Sequence, residues 1–331
     1  MASEDELTLS KLAGVALLLL MLLILLDYAH SSGQLTLPHR RRPVRGQLVV
    51  ITGAAGGLGR ALALEFARRG AVLALWDVRA SALQSLADFL VKQHRIPAET
   101  LHPREVDVTD AAAVAKAANA LAAAIGPARV IVSNAGVVTG QRIMDSSEGS
   151  LRAAFNVNVL AHLWMVRAFV PHMLSNTSPT SLPCGTVVTV GSLMADLPAA
   201  RLGDYCAGKA ALAQLHECLR WELPQPQTRL VHVQPYMIDP EDSPLFDGGQ
   251  PLRYHALRGV IPPLRASTVA RRIIDAIEAG RDGPEHLVVP YIFKWLPPTL
   301  RLLPAFVRDV ALYVAGADCA MDHWRGRREQ R

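Results

Sequence analysis

The chain has 331 residues, 50% of them hydrophobic and 19% charged, and 34 Lys and Arg against 29 Asp and Glu leave a formal charge of +5. That length suits one large or two ordinary domains, and the apolar content excludes a disordered chain, a repeat array and a nucleic-acid tail. Four cysteines, Cys184, Cys206, Cys218 and Cys319, show neither CxxC spacing nor a companion His at zinc spacing, which excludes a disulfide framework, gives no metal site and points to a reducing compartment.

Leu12 to Leu26 is an unbroken apolar run. As a helix it covers roughly 22 Å, short of the ~30 Å hydrocarbon core of a bilayer. The uncharged flank Leu7 to Ser10 lengthens it if Lys11 snorkels, and Tyr28 then falls near an interface. The acidic start (Glu4, Asp5, Glu6) and the absence of a small-x-small cleavage site argue against a secretory signal, and Leu on every face argues against a surface helix. Arg40, Arg41, Arg42 and Arg45 follow, and the positive-inside rule keeps what comes after them in the cytosol. Residues 1–45 therefore read as a membrane anchor and basic linker, with membrane lipid rather than nucleic acid as partner. On this topology the glycosylation pattern Asn176-Thr177-Ser178 is a chance match.

From residue 46 to 290 apolar, β-branched runs alternate with helical patterns. Strands are predicted at Gln47–Thr52, Ala71–Trp76, up to Val106, at Arg129–Val132, Thr186–Val190, Leu230–Gln234 and Leu287–Val289. Helices are predicted at Gly57–Arg69, Ala82–Gln93, 111–125, about 150–174, Tyr205–Leu223 and 268–279. Alternating β and α with continuous apolar strands predicts an α/β fold, a Rossmann-type doubly wound parallel sheet of about seven strands. His162, His172 and Trp164 on the long helix read as core or subunit-interface residues. The proline-rich stretch Pro235–Leu264 is long enough to be functional.

Thr52-Gly53-Ala54-Ala55-Gly56-Gly57-Leu58-Gly59 lies between the first strand and the first helix. Glycines there allow a tight turn and let the backbone approach a pyrophosphate at a helix N-terminus. Asp77 follows the second strand, where a carboxylate accepts hydrogen bonds from the adenosine ribose and repels the extra phosphate of NADP. NAD is therefore expected over NADP, with Arg79 as a partial offset.

Tyr205 and Lys209 are four residues apart on a predicted helix and share a face. Tyr is a poor base at its free pKa of ~10, and a nearby ammonium stabilises the phenolate. Ser192, just past the fifth strand, supplies a hydroxyl that can hold a substrate oxygen while a proton moves to or from the phenol.

With the glycine loop, Asp107-Val108, Asn134-Ala135-Gly136, Asn158, Ser192 and Tyr205-Cys206-Ala207-Gly208-Lys209, the chain resembles the short-chain dehydrogenase/reductases over about residues 46–290. The resemblance implies that Asp107 and Val108 hold the adenine and that Asn134, followed by Ala135 and Gly136, steadies the sheet beside the cofactor, which Ile238 also contacts. It implies that Asn158 kinks its helix and holds a water in a proton relay through Lys209, which also binds the nicotinamide ribose. It further implies a homodimer through the helices carrying Asn158 and Tyr205. Leu75-Trp76-Asp77, Asn156-Val157-Asn158-Val159-Leu160, Ala168-Phe169-Val170-Pro171 and Met321-Asp322-His323-Trp324 with Gly326-Arg327 are similar to the membrane-associated retinol and 17-beta-hydroxysteroid dehydrogenase branch. Where the family has Pro-Gly and then Thr after the sixth strand, this chain has Tyr236 and Pro240, with Asp239 or Ser243 as substitutes for the Thr.

The tail from Tyr291 mixes apolar residues, prolines and Arg, as a segment lying in a membrane interface or a helix packed on the core or a partner subunit would. Met194, Tyr236, Met237, Leu245 and Phe246 are candidates for an apolar pocket. The expected function is oxidation or reduction of a lipophilic alcohol or carbonyl (retinoid, steroid or long-chain lipid) at the endoplasmic reticulum or a lipid droplet, facing the cytosol. The alternatives are a catalytically weak lipid-surface scaffold and an NADPH-dependent ketone reductase.

Overall fold

The computed structural model describes residues 42–175, 185–224, 227–246, 262–280 and 283–322. The apolar run Leu12–Leu26, Arg40, Arg41, the Asn176 pattern, Cys184, the middle of the proline-rich stretch and the closing His323–Arg327 lie outside the described residues.

Seven strands form one parallel sheet: β1 (Leu48–Thr52), β2 (Val72–Asp77), β3 (Leu101–Glu105), β4 (Val130–Ser133), β5 (Gly185–Val190), β6 (Thr228–Pro235) and β7 (His286–Val289), in the order β3-β2-β1-β4-β5-β6-β7. The order runs outward in both directions from the β1–β4 pair, which is the switch point where such sheets open a crevice. β1 is apolar up to its closing Thr52 and buried throughout, as a strand covered on both faces must be.

The two faces divide the helices cleanly. Val49 and Ile51 of β1 face α1 (Gly57–Arg68), α2 (Ala80–His94) and α7 (Ala266–Glu278) through Leu62, Phe66, Leu86, Leu90 and Ile273. Leu48 and Val50 face the opposite layer, α3 (Ala111–Ala124), α5 (Ala161–Ser175) and α6 (Gly203–Glu222), through Val114, Met165, Phe169 and Leu219. This is the period-2 alternation of a strand sorting alternate residues into two cores. Trp76 closes the second core against Phe169, with ring centroids 5.4 Å apart.

The long helix expected over 150–174 is two α-helices, α4 (Glu148–Phe155) and α5, joined by a π-helical turn at Asn156–Leu160. The combined stretch Glu148–Ser175 is long and apolar enough to cross a membrane, but its Met165, Phe169 and Met173 are buried in the second core. After β7 come α8 (Leu296–Leu302) and α9 (Ala305–Val314), so much of the described part of the tail is helical. Phe66 is fully buried between β1, α1 and α7. Phe66→Ala should lower unfolding free energy by about 3–5 kcal/mol in urea titrations, and a loss below about 1 kcal/mol would mean that α1 is not a core helix.

Candidate functional site

The β1–β4 crevice is tied by short polar contacts. The Thr52 hydroxyl accepts from the amides of Asn134 at 3.0 Å and Ala135 at 3.1 Å. The Asn134 side-chain amide donates to the carbonyls of Thr52 at 2.9 Å and Gly53 at 3.2 Å. Gly53 sits at φ +62°, and a Cβ there would lie 2.9 Å from the Ala135 Cα. Gly59 touches the Gly53 carbonyl so closely that any Cβ would collide with it. The loop therefore folds back on itself, and α1 starts at Gly57 behind a Gly56 that offers no side-chain cap, leaving its first amides available to an anion.

Asp77 ends β2 and is buried. Its Oδ2 accepts from the Ala55 amide at 3.1 Å, and its Oδ1 accepts from the Arg79 amide and the Arg79 Nε, each at 3.1 Å. A cavity of about 800 Å³ starts here, beside Asp77, Arg79, Arg60 and Ser85. It passes Gly57, Leu58 and Gly59 of the loop and then Asn134, Ala135, Gly136 and Ile238. It then reaches Ser192, Tyr205 and Lys209. Its shape and donors fit an extended dinucleotide, with a ribose acceptor at one end and a pyrophosphate cradle in the middle.

Tyr205 and Lys209 are both buried on one face of α6. The Tyr205 and Ser192 hydroxyls share a hydrogen bond. The Ser192 Oγ also accepts from the Met194 amide at 3.1 Å, which fixes it past the end of β5. The Lys209 ammonium donates to the Val190 carbonyl at 2.8 Å and stands 5.6 Å from the centre of the Tyr205 ring. Asn158, inside the π-turn, accepts from the Val137 amide at 3.1 Å and donates to its carbonyl at 2.9 Å. A Cβ on Gly136 would lie 3.3 Å from the Asn158 Oδ1 and 3.8 Å from the Lys209 Nζ, so both groups face the bare α-carbon of this glycine.

Burial dominates the electrostatics. It pushes the Tyr205 phenol up to about 12, against the hydrogen bond from Ser192, which lowers it. Sequence alone predicts a phenol brought down by Lys209. That ammonium is instead committed to Val190, and burial lowers its own pKa to about 8. The ground state near pH 7 is thus a neutral phenol backed by a lysine that is still mostly protonated.

Two expected residues lie elsewhere. Asp107 is exposed, and its Oδ1 accepts from the amide of Thr109 at 2.9 Å and from its hydroxyl at 2.7 Å, forming a turn before α3. Val108 is buried beside a separate cavity of about 10 Å³ next to Asn158. Neither lines the large cavity, and Thr52 reaches it only through Asn134 and Ala135. Of the two substitutes for the missing Thr, Ser243 lines the cavity, whereas Asp239 closes a local turn onto the Glu241 amide. Tyr236 stacks on Phe293, with centroids 4.6 Å apart.

Beyond Tyr205 the cavity turns apolar, with Met194, Leu197, Phe246, Phe293 and, from the tail, Leu312 and Met321. Phe246 meets the Tyr205 ring edge-on at 5.5 Å. Arg60 and the tail residues are additions that sequence reasoning missed. Arg60 directly follows the glycine loop, which was a usable signal; Met321 and the apolar tail were marked as family-branch and interfacial features, but nothing local placed Leu312 or Met321 at the cavity.

The family model for short chain dehydrogenases matches residues 47–244. The chain is 33% identical over 244 residues to epidermal retinol dehydrogenase 2 of Mus musculus, covering 72% of each. It is 35% identical over 206 residues to estradiol 17-beta-dehydrogenase 11 of Pongo abelii, covering 62% of this chain and 65% of that one. Among solved structures, a short chain dehydrogenase/reductase from Burkholderia phymatum in complex with NAD superposes with TM-score 0.64 at 27% identity, covering 82% and 96% of the two chains. An archaeal alcohol dehydrogenase from Thermococcus sibiricus complexed with 5-hydroxy-NADP shares the fold, with TM-score 0.61 at 23% identity and coverage of 74% and 96%.

Lys209 yields a stability test. Its folded pKa of about 8 lies below the ordinary 10.5, so folding a protonated Lys209 is unfavourable. The penalty is complete below pH 8 and is relieved as pH rises toward 10.5. Lys209→Met should therefore stabilise the protein at pH 7, by on the order of 3 kcal/mol, and the gain should shrink by pH 10. Denaturation midpoints at the two pH values check this, and a pH-independent effect would contradict it.

Proposed function

The chain belongs to the short-chain dehydrogenase family, in the retinol and 17-beta-hydroxysteroid dehydrogenase branch, and from that premise we propose that it interconverts a lipophilic alcohol and its carbonyl with NAD(H), using Tyr205 as general acid/base. One observation carries the reading: a single cavity runs from the Asp77 carboxylate through the glycine loop to the hydrogen-bonded Ser192–Tyr205 pair.

Gly57, Leu58, Gly59, Asp77, Asn134, Ala135, Gly136 and Ile238 would hold the cofactor, with Thr52 bracing the cradle from behind and Ser243 beside the cavity past β6. The nicotinamide supplies the hydride acceptor in oxidation and the hydride donor in reduction. Ser192 holds the substrate oxygen. In reduction the neutral Tyr205 phenol gives its proton to that oxygen, and in oxidation it takes the hydroxyl proton with the Lys209 charge stabilising the phenolate. Asn158, held at both ends by Val137, keeps the π-turn beside Lys209 and is the proposed next station of the relay.

Asp77 supports NAD, because a second negative charge beside a buried carboxylate is unfavourable. The apolar far end supports a retinoid, a steroid or a long-chain lipid. Asp107 and Val108 enter only as the proposed adenine wall. α9 turns Leu312 toward the cavity while Phe306 is 71% exposed and Val310 and Tyr313 are also exposed, which supports a tail lying in a membrane interface. With residues 1–45 as anchor, 46–290 as catalytic domain and 291–331 as interfacial tail, the proposed site is the cytosolic face of the endoplasmic reticulum or a lipid droplet. Exposed Phe155 and Leu160 flank the π-turn and support a homodimer through that surface.

Detergent-solubilised protein titrated with NADH and NADPH should bind NADH more tightly, and Asp77→Ala should cut that preference roughly tenfold. Tighter NADPH binding would overturn the NAD assignment and make Arg60 and Arg79 the phosphate ligands of a ketone reductase. Against a panel of retinols and hydroxysteroids, Tyr205→Phe should lower kcat by at least about 100-fold with KM little changed. A Tyr205→Phe protein with full turnover would remove Tyr205 from the chemistry.

A further inference from the structure

Behind the catalytic lysine lies a group of buried histidines that the chemistry above does not use. Thr189, His232 and His286 are in register across β5, β6 and β7, so their side chains form a row on one face of the sheet, running toward its β7 edge. His216, seven residues after Lys209 on α6, packs onto this row. The His216 and His232 rings are 5.1 Å apart, and the His232 and His286 rings 6.0 Å. The Thr189 hydroxyl hydrogen-bonds the His216 Nδ1 at 2.9 Å and the His162 Nε2 at 3.3 Å. His162, His216 and His232 are almost wholly buried.

Both ends of this group lead somewhere. At the inner end, His162 follows Asn158 by four residues, and both line the cavity of about 10 Å³, whose volume suits a single water. The Ser133 hydroxyl borders the same cavity. A Cβ on Gly191, the residue before Ser192, would collide with the His232 Nε2, so this ring lies directly beneath the floor of the active site. At the outer end the His286 Nε2 stands 3.0 Å from the Glu217 Oε1, and the His286 side chain is 38% exposed.

A purely structural role explains the group poorly. The His162 Nδ1, His216 Nε2 and His232 Nε2 have no partner among the described residues. Buried imidazole nitrogens without partners are costly, and apolar side chains would fill the space without that cost. Among the described residues no hydrogen bond runs from ring to ring, so a proton crossing from His216 to His232 and on to His286 needs a turn of the ring or an intervening water at each step, and the open nitrogens are where that contact would be made.

We propose that His162, Thr189, His216, His232 and His286 form a proton path joining the Asn158–Lys209 end of the active site to solvent at His286 and Glu217. The path rests on the Tyr205 reading for its role in turnover. In oxidation the substrate O–H and C–H bonds break and the C=O bond forms. The hydride leaves with its electron pair to the nicotinamide, and the hydroxyl proton passes by Tyr205 and Lys209 into the path and out to buffer. Each imidazole ends in its starting charge state, and reduction runs the same path inward.

The charges around the path set its character. Lys209 faces it from α6 on the inner side, and Glu217, Arg220, Glu285 and Lys294 surround His286. Burial keeps His162, His216 and His232 neutral at ordinary pH, with pKa values of about 4, 2 and 3. Protons therefore visit rather than reside.

Ring N–H exchange with solvent, followed by NMR on the full chain carrying ¹⁵N-histidine, tests the path without a substrate. His216 and His232 should exchange fast despite their burial, and His286→Phe should slow them by roughly tenfold or more at an unchanged melting temperature. His286→Gln, which keeps a polar side chain but cannot shuttle a proton, serves if the Phe variant fails to fold. With the best alcohol of the substrate panel, either variant should raise the solvent deuterium isotope effect on kcat, and added imidazole should reverse that rise. Unchanged exchange and an unchanged isotope effect would overturn the path. Tyr205→Phe separates the two readings: it should abolish turnover while leaving the exchange untouched, and turnover that survived it would sink the Tyr205 assignment alone.

Discussion

The Thr52 hydroxyl is the pin on which the site depends. It lies where β1 and β4 part company and takes two amides from the β4 side, while Asn134 returns the contact to the Thr52 and Gly53 carbonyls. Parallel strands that diverge at a switch point leave backbone groups without ladder partners. Here those backbone groups are satisfied by one hydroxyl and one carboxamide, which hold the crevice open. The glycine loop, the start of α1 and the Asp77 contact to Ala55 all take their positions from that junction.

At the other end of the cavity burial, rather than pairing, governs the chemistry. Tyr205 and Lys209 are both removed from water, and each is pushed toward its neutral form. The lysine is oriented by a backbone carbonyl at the end of β5, and the serine by the amide of a short 3₁₀ turn. These are rigid supports, because β5 lies inside the sheet and α6 packs across it. The arrangement protects a proton-transfer site from bulk water, which also means that protons need a defined route in and out. The histidine row, covered by His216 of α6, lies on the sheet beside Lys209, where we place that route.

The fold was legible from local pattern. Strand and helix ends fall within a few residues of their predicted places, because apolar runs and the glycine loop act over short range. The break of the long helix at Asn156–Leu160 came from family resemblance, since nothing in its apolar spacing announces a π-turn. Motif residues close in sequence, as in Gly53 to Gly59 and Tyr205 to Lys209, line one cavity, because spacing along one element sets their positions. Local pattern did not place the Asp107 carboxylate, which Thr109 takes into a turn two residues on, or the tail, where Leu312 and Met321 return to wall a cavity begun near residue 53.

The sequence by itself determined the parallel α/β architecture, the place of the dinucleotide loop and the pairing of Tyr205 with Lys209, because each follows from periodicity or spacing along one element. Only the tertiary structure decided which carboxylates face the cavity, how far burial raises the Tyr205 phenol, and that Thr189, His232 and His286 stand in one row. Those facts depend on the register between strands and on the exclusion of water by distant segments. Neither quantity is local, so neither is written in any short stretch of the chain.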